Sequence, residues 1–427
     1  MHARSVVVLA VLVVALAACS SPSPTGTAAG GQGTTDEASV PAAEDAASEA
    51  TEDTAPADLE GEPIPICVAV AQTSNVALLG QEEIIGVELA EQLFNERGGV
   101  NGRPIDVVIQ DTGGDEAGAI NAFETCINSV NAIGIVGPTL SQQMFAAGPV
   151  ADRAGVPTLG PSTTAQGIPQ IGDYIGRVSA PVAVVAPNAV EVALEQNPDI
   201  QTVAVAFAQN DAFASSETQT FQAAVQERGL NLATVQQFRT TDTDFTAQAT
   251  NIIGVNPELV IVSGLAADGG NLVRQLRELG YQGLIVGGNG LNTTNVFPVC
   301  GQYCDGIIIA QAYSPETEGE LNEAFRTAYE AEQDRQPPQF SAQAFTGVQV
   351  FVEALTALDA EQGLVELEAD LAGLRTALNE TLLGLEYNTV LGPMSFTEEG
   401  EINQEQFHVA QIEMNDDGQT GQFTFVR

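Results

Sequence analysis

The chain contains no lysine. A Walker phosphate loop and a lysine Schiff base both need one, so neither chemistry is available. Histidine occurs twice, at His2 and His408. A Ser–His or Cys–His nucleophile pair would therefore depend on His408, and no G-x-S-x-G elbow accompanies it. His408 lies in "FHVAQI", where an exposed strand position is expected. No Cys/His cluster has zinc spacing, and "GGNG" (287–290) lacks the glycine spacing of a phosphate loop. After residue 18 no apolar run approaches the length of a membrane span. Carboxylates are so numerous that no two stand out as an acid–base pair. The sequence thus predicts no enzyme, no cofactor and no metal site.

Basic charge is scarce as well. Thirteen basic residues, every one an arginine, face 56 acidic ones, for a net charge of −43. Nucleic acid and anionic surfaces are poor partners for such a chain. Two explanations stand side by side. Dense carboxylates keep a surface hydrated in a salty exterior, where salt screens their repulsion; alternatively, a GC-rich genome encodes Arg in place of Lys.

What is present begins with a leader. Arg4 precedes the apolar stretch "VVVLAVLVVALAA" (6–18), too short to span comfortably, so residues 1–18 read as a secretory signal peptide. The stretch ends "LAAC", then "SSPSPTG". Small residues before a cysteine resemble the lipobox of bacterial lipoproteins, which would make Cys19 the lipidated first residue of the mature chain. The alternative is ordinary secretion after cleavage near Ala18. Residues 20–62 hold ten Asp or Glu and no basic residue. Such a segment cannot bury enough apolar surface to fold, so 19–62 read as a lipid-attached acidic tether with a reach of roughly 35 Å. The expected location is extracytoplasmic, at the outer face of the cell membrane.

Apart from Cys19, four cysteines remain, an even number in an exported chain. Cys300 and Cys304 ("CGQYC") are close enough to clip a small loop. Cys67 lies in a predicted strand and Cys126 in the helix that crosses over it. Disulfides 67–126 and 300–304 are predicted, with two buried thiols as the alternative for the first pair.

At 427 residues the chain is long enough for two domains. From residue 64 it alternates strands and helices with short connections. The strands are "ICVAVAQT" (66–73), "IDVVIQD" (105–111), "AIGIVG" (132–137) and "VPTLG" (156–160), and the helices are 81–99, 115–130 and 141–154. Near-continuous apolar strands between helices mean a parallel sheet covered on both faces. The rhythm resets around 174–181. A second series follows: helices 182–196, 213–228, 244–253 and 268–279 with strands 202–207, 231–238, 258–264, 283–288 and 306–311. Three more helices (318–334, 340–359, 366–383) and an antiparallel tail complete the chain. Ligands of doubly wound sheets sit outside the carboxyl ends of the strands, at the switch in strand order. "GPTLSQQ" (137–143) and "GPSTTAQG" (160–167) fall there and form a small, uncharged, donor-rich pocket suited to a carboxylate. Taken singly, Ser141 and Thr164 could instead cap their own helices.

Residues 64–427 resemble the type I periplasmic substrate-binding proteins of ABC transporters, specifically the leucine/isoleucine/valine-binding group. The likeness runs through "GVELAEQLFNERGGVNGRPIDVVIQD" (86–111), "GPTLSQQ" (137–143), "VPTLGPSTT" (156–164), "NLVRQLRELGYQG" (271–283) and "GPMSFTEEGEI" (392–402). It implies an α/β fold of two doubly wound parallel-sheet lobes joined by three hinge crossovers, near 178–181, 311–314 and 391–395. Lobe 1 would be 63–179 plus 313–390 and lobe 2 180–312 plus 391–427, closing on a small solute. By the same resemblance Ser141 and Thr164 would hold a ligand carboxylate, with Ser162 and Thr163 flanking it. Phe213 stands where the family places a tyrosine, and Leu79 and Leu265 stand at aromatic positions. Asn289 stands where those proteins have a glutamate that accepts the ligand's ammonium. An amide cannot neutralise a buried cation; Asp211 and Asp268 are nearby carboxylates, with helix capping as their other role. The expected partners are a small-molecule solute and ABC permease subunits, with the protein a monomer. A sensor that signals occupancy to a membrane partner is the alternative.

Overall fold

A computed structural model describes residues 59–427. The expected signal peptide, Cys19 and nearly all of the tether lie outside the described residues.

The first lobe starts with β1 (Ile64–Val70), whose residues are nearly all buried because helices cover both faces of its sheet. Next come α1 (Ala77–Glu96), β2 (Ile105–Asp111), α2 (Glu116–Thr125), β3 (Gly134–Val136), α3 (Ser141–Arg153), β4 (Thr158–Gly160) and β5 (Ile175–Arg177). All neighbours in this sheet are parallel, in the order β2-β1-β3-β4-β5. This is a doubly wound order with its switch between β1 and β3. Gly98 and Gly99 stop α1 with φ of 105° and 58°, a left-handed exit that glycine adopts without strain. Asp115 caps α2 by accepting from the Gly118 N–H at 2.7 Å.

The second lobe repeats the plan with α4 (Val182–Val185), α5 (Pro187–Gln196), β6 (Thr202–Ala208), α6 (Ala212–Glu227), β7 (Asn231–Phe238), α7 (Thr246–Gly254), β8 (Leu259–Ser263), α8 (Ala266–Glu278), β9 (Leu284–Gly287), α9 (Phe297–Cys300) and β10 (Ile308–Gln311). The chain then returns through α10 (Glu320–Gln333), α11 (Gln339–Gln362), α12 (Leu364–Leu367) and α13 (Leu371–Gly384). It ends with β11 (Glu386–Thr389), β12 (Gly392–Phe396), β13 (Ile402–Gln404), β14 (His408–Met414) and β15 (Gly421–Phe425). The second sheet runs β15-β14-β10-β9-β8-β6-β7, parallel from β7 to β10 and antiparallel at β14 and β15. Its switch lies between β6 and β8. Among the described residues no helix is long and apolar enough to cross a membrane.

Three expectations need correction. The helix expected over 182–196 is two helices, because Pro187, with no N–H, restarts the second one. Ile175–Arg177, read only as a point where the rhythm resets, is a fifth strand of the first sheet. The third crossing is not at 391–395. Strands β12 and β13 pair with β11, and Leu391, Met394, Phe396 and Ile402 join the core built around β1, α1 and α11. Residues 391–404 therefore pack with the first lobe, and the chain crosses between Gln404 and His408.

Both predicted disulfides are present, Cys67–Cys126 with Cα atoms 5.6 Å apart and Cys300–Cys304 at 5.4 Å. The alternative of two buried thiols at the first pair gives way. The first bond ties β1 to the end of α2. His408 is half-buried on β14, edge-on to Phe425.

Candidate functional site

The loops at the two switch points face each other. From the first lobe come 71–76 after β1, 137–140 after β3 and 161–165 after β4; from the second come 209–211 after β6, 264–265 after β8 and 288–292 after β9. Ser141 opens α3 but caps nothing; its hydroxyl accepts the Ala165 N–H at 3.2 Å and so ties two of these loops together. Thr164 does not cap a helix side-chain to backbone either, and its hydroxyl is buried without a partner. The backbone of this loop is held by Arg177, which is buried. Its guanidinium donates to the carbonyls of Thr163 (2.9 Å) and Ala165 (2.7 Å), and to both carboxylate oxygens of Glu401 (2.7 and 2.5 Å). A planar fork satisfying two carbonyls and a carboxylate at once fixes the loop's position.

Behind the same loops sits Glu83, a residue of α1 with no exposed surface. Thr139 Oγ1 lies 2.5 Å from Glu83 Oε2 and accepts the Ala71 N–H. Ser162 Oγ lies 2.5 Å from Glu83 Oε1 and 2.7 Å from the Thr139 carbonyl. A hydroxyl has one hydrogen. Both Ser162 contacts are satisfied when Ser162 donates to the carbonyl and Glu83, protonated, donates to Ser162. Burial pushes the Glu83 carboxyl up to about 7 in the same direction, against the lowering by the two hydroxyls.

Seven of the eight expected residues line two adjoining crevices between the lobes. Leu79, Ser141 and Ser162 meet Phe213, Leu265 and Asn289 around the first, together with Thr139, Leu140 and Phe340. Thr164 and Asn289 line the second, beside the hinge, with Glu217, Gln339 and Gln343. Thr163 lines neither; it turns toward Gly160. The space between atoms is about 260 Å³ in the first and 330 Å³ in the second, drawn out so thinly that each admits little more than one water molecule. The lobes are closed. Gln142 accepts from the Ala212 N–H (3.1 Å), the Gln166 N–H donates to Ser216 (3.0 Å), and Asn295 donates to the Leu78 carbonyl (2.6 Å). Apolar residues of both lobes, among them Val76, Leu79, Phe213 and Leu265, form one continuous cluster across the cleft.

The model of the periplasmic binding protein family matches residues 63–419, more than four-fifths of the chain. The chain belongs to that family. Members of this family are binding proteins, and the chain is one of them rather than an enzyme. A Leu/Ile/Val-binding protein homolog from Brucella melitensis is 27% identical over 352 residues, covering 81% of this chain and 90% of that one. A leucine-, isoleucine-, valine-, threonine- and alanine-binding protein of Pseudomonas aeruginosa is 24% identical, with 81% and 89% covered. Among solved structures, the branched-chain amino acid transporter substrate-binding protein LivJ of Streptococcus pneumoniae, in complex with isoleucine, superposes with a TM-score of 0.74 at 23% identity, over 86% of this chain and 99% of that one. A solute-binding protein of an ABC transporter from Rhodopseudomonas palustris, in complex with benzoate, gives 0.73 at 18%, over 85% and 96%. These likenesses establish the two-lobed parallel-sheet fold.

In this binding protein the cleft holds acids that sequence reasoning passed over. Glu82 accepts from Thr293 Oγ1 (2.8 Å) and from the N–H and hydroxyl of Thr294 (3.1 and 2.9 Å) across the lobes. Arg335 also bonds to the Thr294 hydroxyl. Glu217 accepts the Asn289 N–H at 2.8 Å and bonds to Ser263 Oγ. Burial pushes the carboxyls of Glu82 and Glu217 up to about 7. Asp211 and Asp268 are capping residues: the first accepts from the Ala214 N–H (2.7 Å) and the second from the Leu265 N–H (3.3 Å). For Glu217 a signal existed. Phe213, Glu217 and Phe221 recur every four residues along the buried stripe of α6. For Glu82 and Glu83 there was none, since adjacent acids in a helix read as a solvated face.

Proposed function

We propose that this chain is the extracytoplasmic solute-binding lipoprotein of an ABC importer. It takes a small polar solute, an amino acid or a related carboxylate or amide, between its lobes and delivers it to permease subunits as a monomer. The observation that carries the reading is the joint lining of one crevice by Leu79, Ser141 and Ser162 from one lobe and Phe213, Leu265 and Asn289 from the other. Apolar walls from Leu79, Leu140, Phe213, Leu265 and Phe340 and a hydroxyl-bearing corner suit a solute with an apolar body and a polar head. The named binders of branched-chain amino acids among its relatives, and of aromatic carboxylates among its structural neighbours, support the same class of solute. Hinge closure is the motion such two-lobed proteins use. The anchor is the lipid on Cys19, which the leader and its following cysteine support.

Melting of the purified chain against a panel of aliphatic and aromatic amino acids, their amides and their amine-free acids tests the binding reading. A solute that binds the folded form alone raises the midpoint by mass action. A flat response across the panel removes the reading. Labelled fatty acid incorporated by the wild-type chain and not by Cys19→Ser tests the anchor.

A further inference from the structure

Away from both crevices the lobes meet a second time. Thr293 and Thr294 of the second lobe lie between two charged side chains of the first, and none of the four residues lines a crevice. On one side is Glu82 of α1, which has no exposed surface. Its Oε1 accepts from Thr293 Oγ1 (2.8 Å), from the Thr294 N–H (3.1 Å) and from Thr294 Oγ1 (2.9 Å). On the other is Arg335, whose Nη1 donates to Thr294 Oγ1. The one hydroxyl hydrogen of Thr294 goes to the acid, and its lone pair takes the guanidinium. A hydroxyl polarised from both ends is held more firmly than by either contact alone. Thr293 is likewise complete, since its Oγ1 accepts the Asn295 N–H at 3.1 Å. Arg335 is set in place from its own lobe. Its Nη2 reaches the Tyr329 hydroxyl at 3.4 Å, and the buried Pro337 and Pro338 stiffen the short link from it to α11. The other oxygen of Glu82, Oε2, is buried with no partner, so a bond lost at Oε1 has no substitute.

We propose that Thr293 and Thr294, gripped between Glu82 and Arg335, form a clasp that holds the two lobes closed whether or not a solute is present. Glu82 and Arg335 belong to one lobe and the two threonines to the other. A hinge rotation that parts the lobes must therefore break every bond from Glu82 and Arg335 to them. Closing takes the acid out of water, which is tolerated only with its hydrogen bonds made, so truncating one partner acts on the closed form alone. Because no member of the clasp lines a crevice, it favours closure by the same amount for every solute. It sets how tightly a solute is held and leaves the choice among solutes to the crevices. The inference rests on the contacts between the lobes and not on the solute-binding reading, so either can fail alone.

Pulsed electron spin resonance on the dialysed full chain, with no solute added, tests it. Spin labels go on Glu124→Cys of α2 and Glu227→Cys of α6, both exposed positions, in a Cys19→Ser background where the other four cysteines are disulfide-bonded. The labelled parent is expected to give its main population at the separation of the closed lobes. Thr294→Val keeps the shape and the N–H but loses the hydroxyl that Glu82 and Arg335 share. It is expected to lower the closed-to-open ratio roughly tenfold or more. Arg335→Met, at a half-buried position, is expected to act in the same sense and serves if the first variant does not fold. A parent with no closed population, or a closed fraction that a folded variant leaves unchanged, overturns the inference.

Discussion

At the scale of single residues the cleft is organised by hydrogen counting. Ser162 can donate only once, to the Thr139 carbonyl or to Glu83, so both of its short contacts are satisfied only when Glu83 holds a proton, which burial favours by pushing its carboxyl up to about 7. While Glu83 holds that proton, no charge behind the loops repels a solute carboxylate near Ser141 and Thr164. Under the proposed function, Ser141→Ala and Thr164→Val each weaken binding by about tenfold, the worth of one hydrogen bond to a charged group. Calorimetry with the solute found in the melting panel measures this, and unchanged affinity in both variants would show that the head group lies elsewhere. Arg177 acts one step back. Replacing it by Met takes the guanidinium away from the Thr163 and Ala165 carbonyls and leaves the Glu401 carboxylate with only the Ile402 N–H, which costs about 3 kcal/mol. Urea unfolding checks it, with a loss under 1 kcal/mol as the contrary result.

At the scale of elements, the first lobe depends on α1 lying directly on α11. A Cβ at Gly86 would meet the Ser341 backbone oxygen at 2.1 Å, so the two helix backbones touch. Two turns further along α1, Phe94 meets Phe345 of α11 with ring centroids 5.7 Å apart and the rings tilted by 41°. Gly86→Val therefore forces the helices apart and is expected to cost about 2–3 kcal/mol. It would also shift Glu82 and Glu83, so weaker solute binding should accompany the lower unfolding midpoint. This contact explains what was legible in the sequence. Strands such as "TVAVAF" and "ELVIVSG" announce themselves by unbroken apolar runs, and their order places the site loops before any coordinate is known. The buried acids were hidden, because helix periodicity marks a buried face by apolar residues and here Glu82 and Glu83 occupy it while Ile84 and Ile85 are only half-buried. The third crossing was hidden for another reason. Antiparallel strands pair with their sequence neighbours, and nothing in "GPMSFTEEGEI" says which lobe the resulting hairpin packs against.

At the scale of the whole molecule, the fold buries five acids with raised affinity for protons. Glu82, Glu83 and Glu217 move from an ordinary 4.5 to about 7, Asp211 from 3.8 to about 6 and Asp268 from 3.8 to about 8, in every case chiefly through desolvation. A group that binds its proton more tightly when folded lends stability below its unfolded value, and that stability is lost as pH rises through its folded value. The window runs from about 4 to about 8, and the net charge of −43 acts in the same direction, since ionisation adds repulsion as pH rises. Opposing it, Asp111 and Asp359 have values lowered chiefly by hydrogen bonds, but both are largely exposed and weigh less. The empty protein is therefore expected to melt several degrees higher at pH 5.5 than at pH 8, the reverse of the usual acid destabilisation. Added salt should raise the midpoint at pH 8 more than at pH 5.5, because screening matters most where repulsion is greatest. Melting curves on a grid of pH and salt separate the two causes. A pH 8 deficit that vanishes in high salt belongs to the surface charge, and one that persists belongs to the buried acids of the cleft. A midpoint that is flat or higher at pH 8 would overturn the raised proton affinity of these five carboxyls in the empty protein.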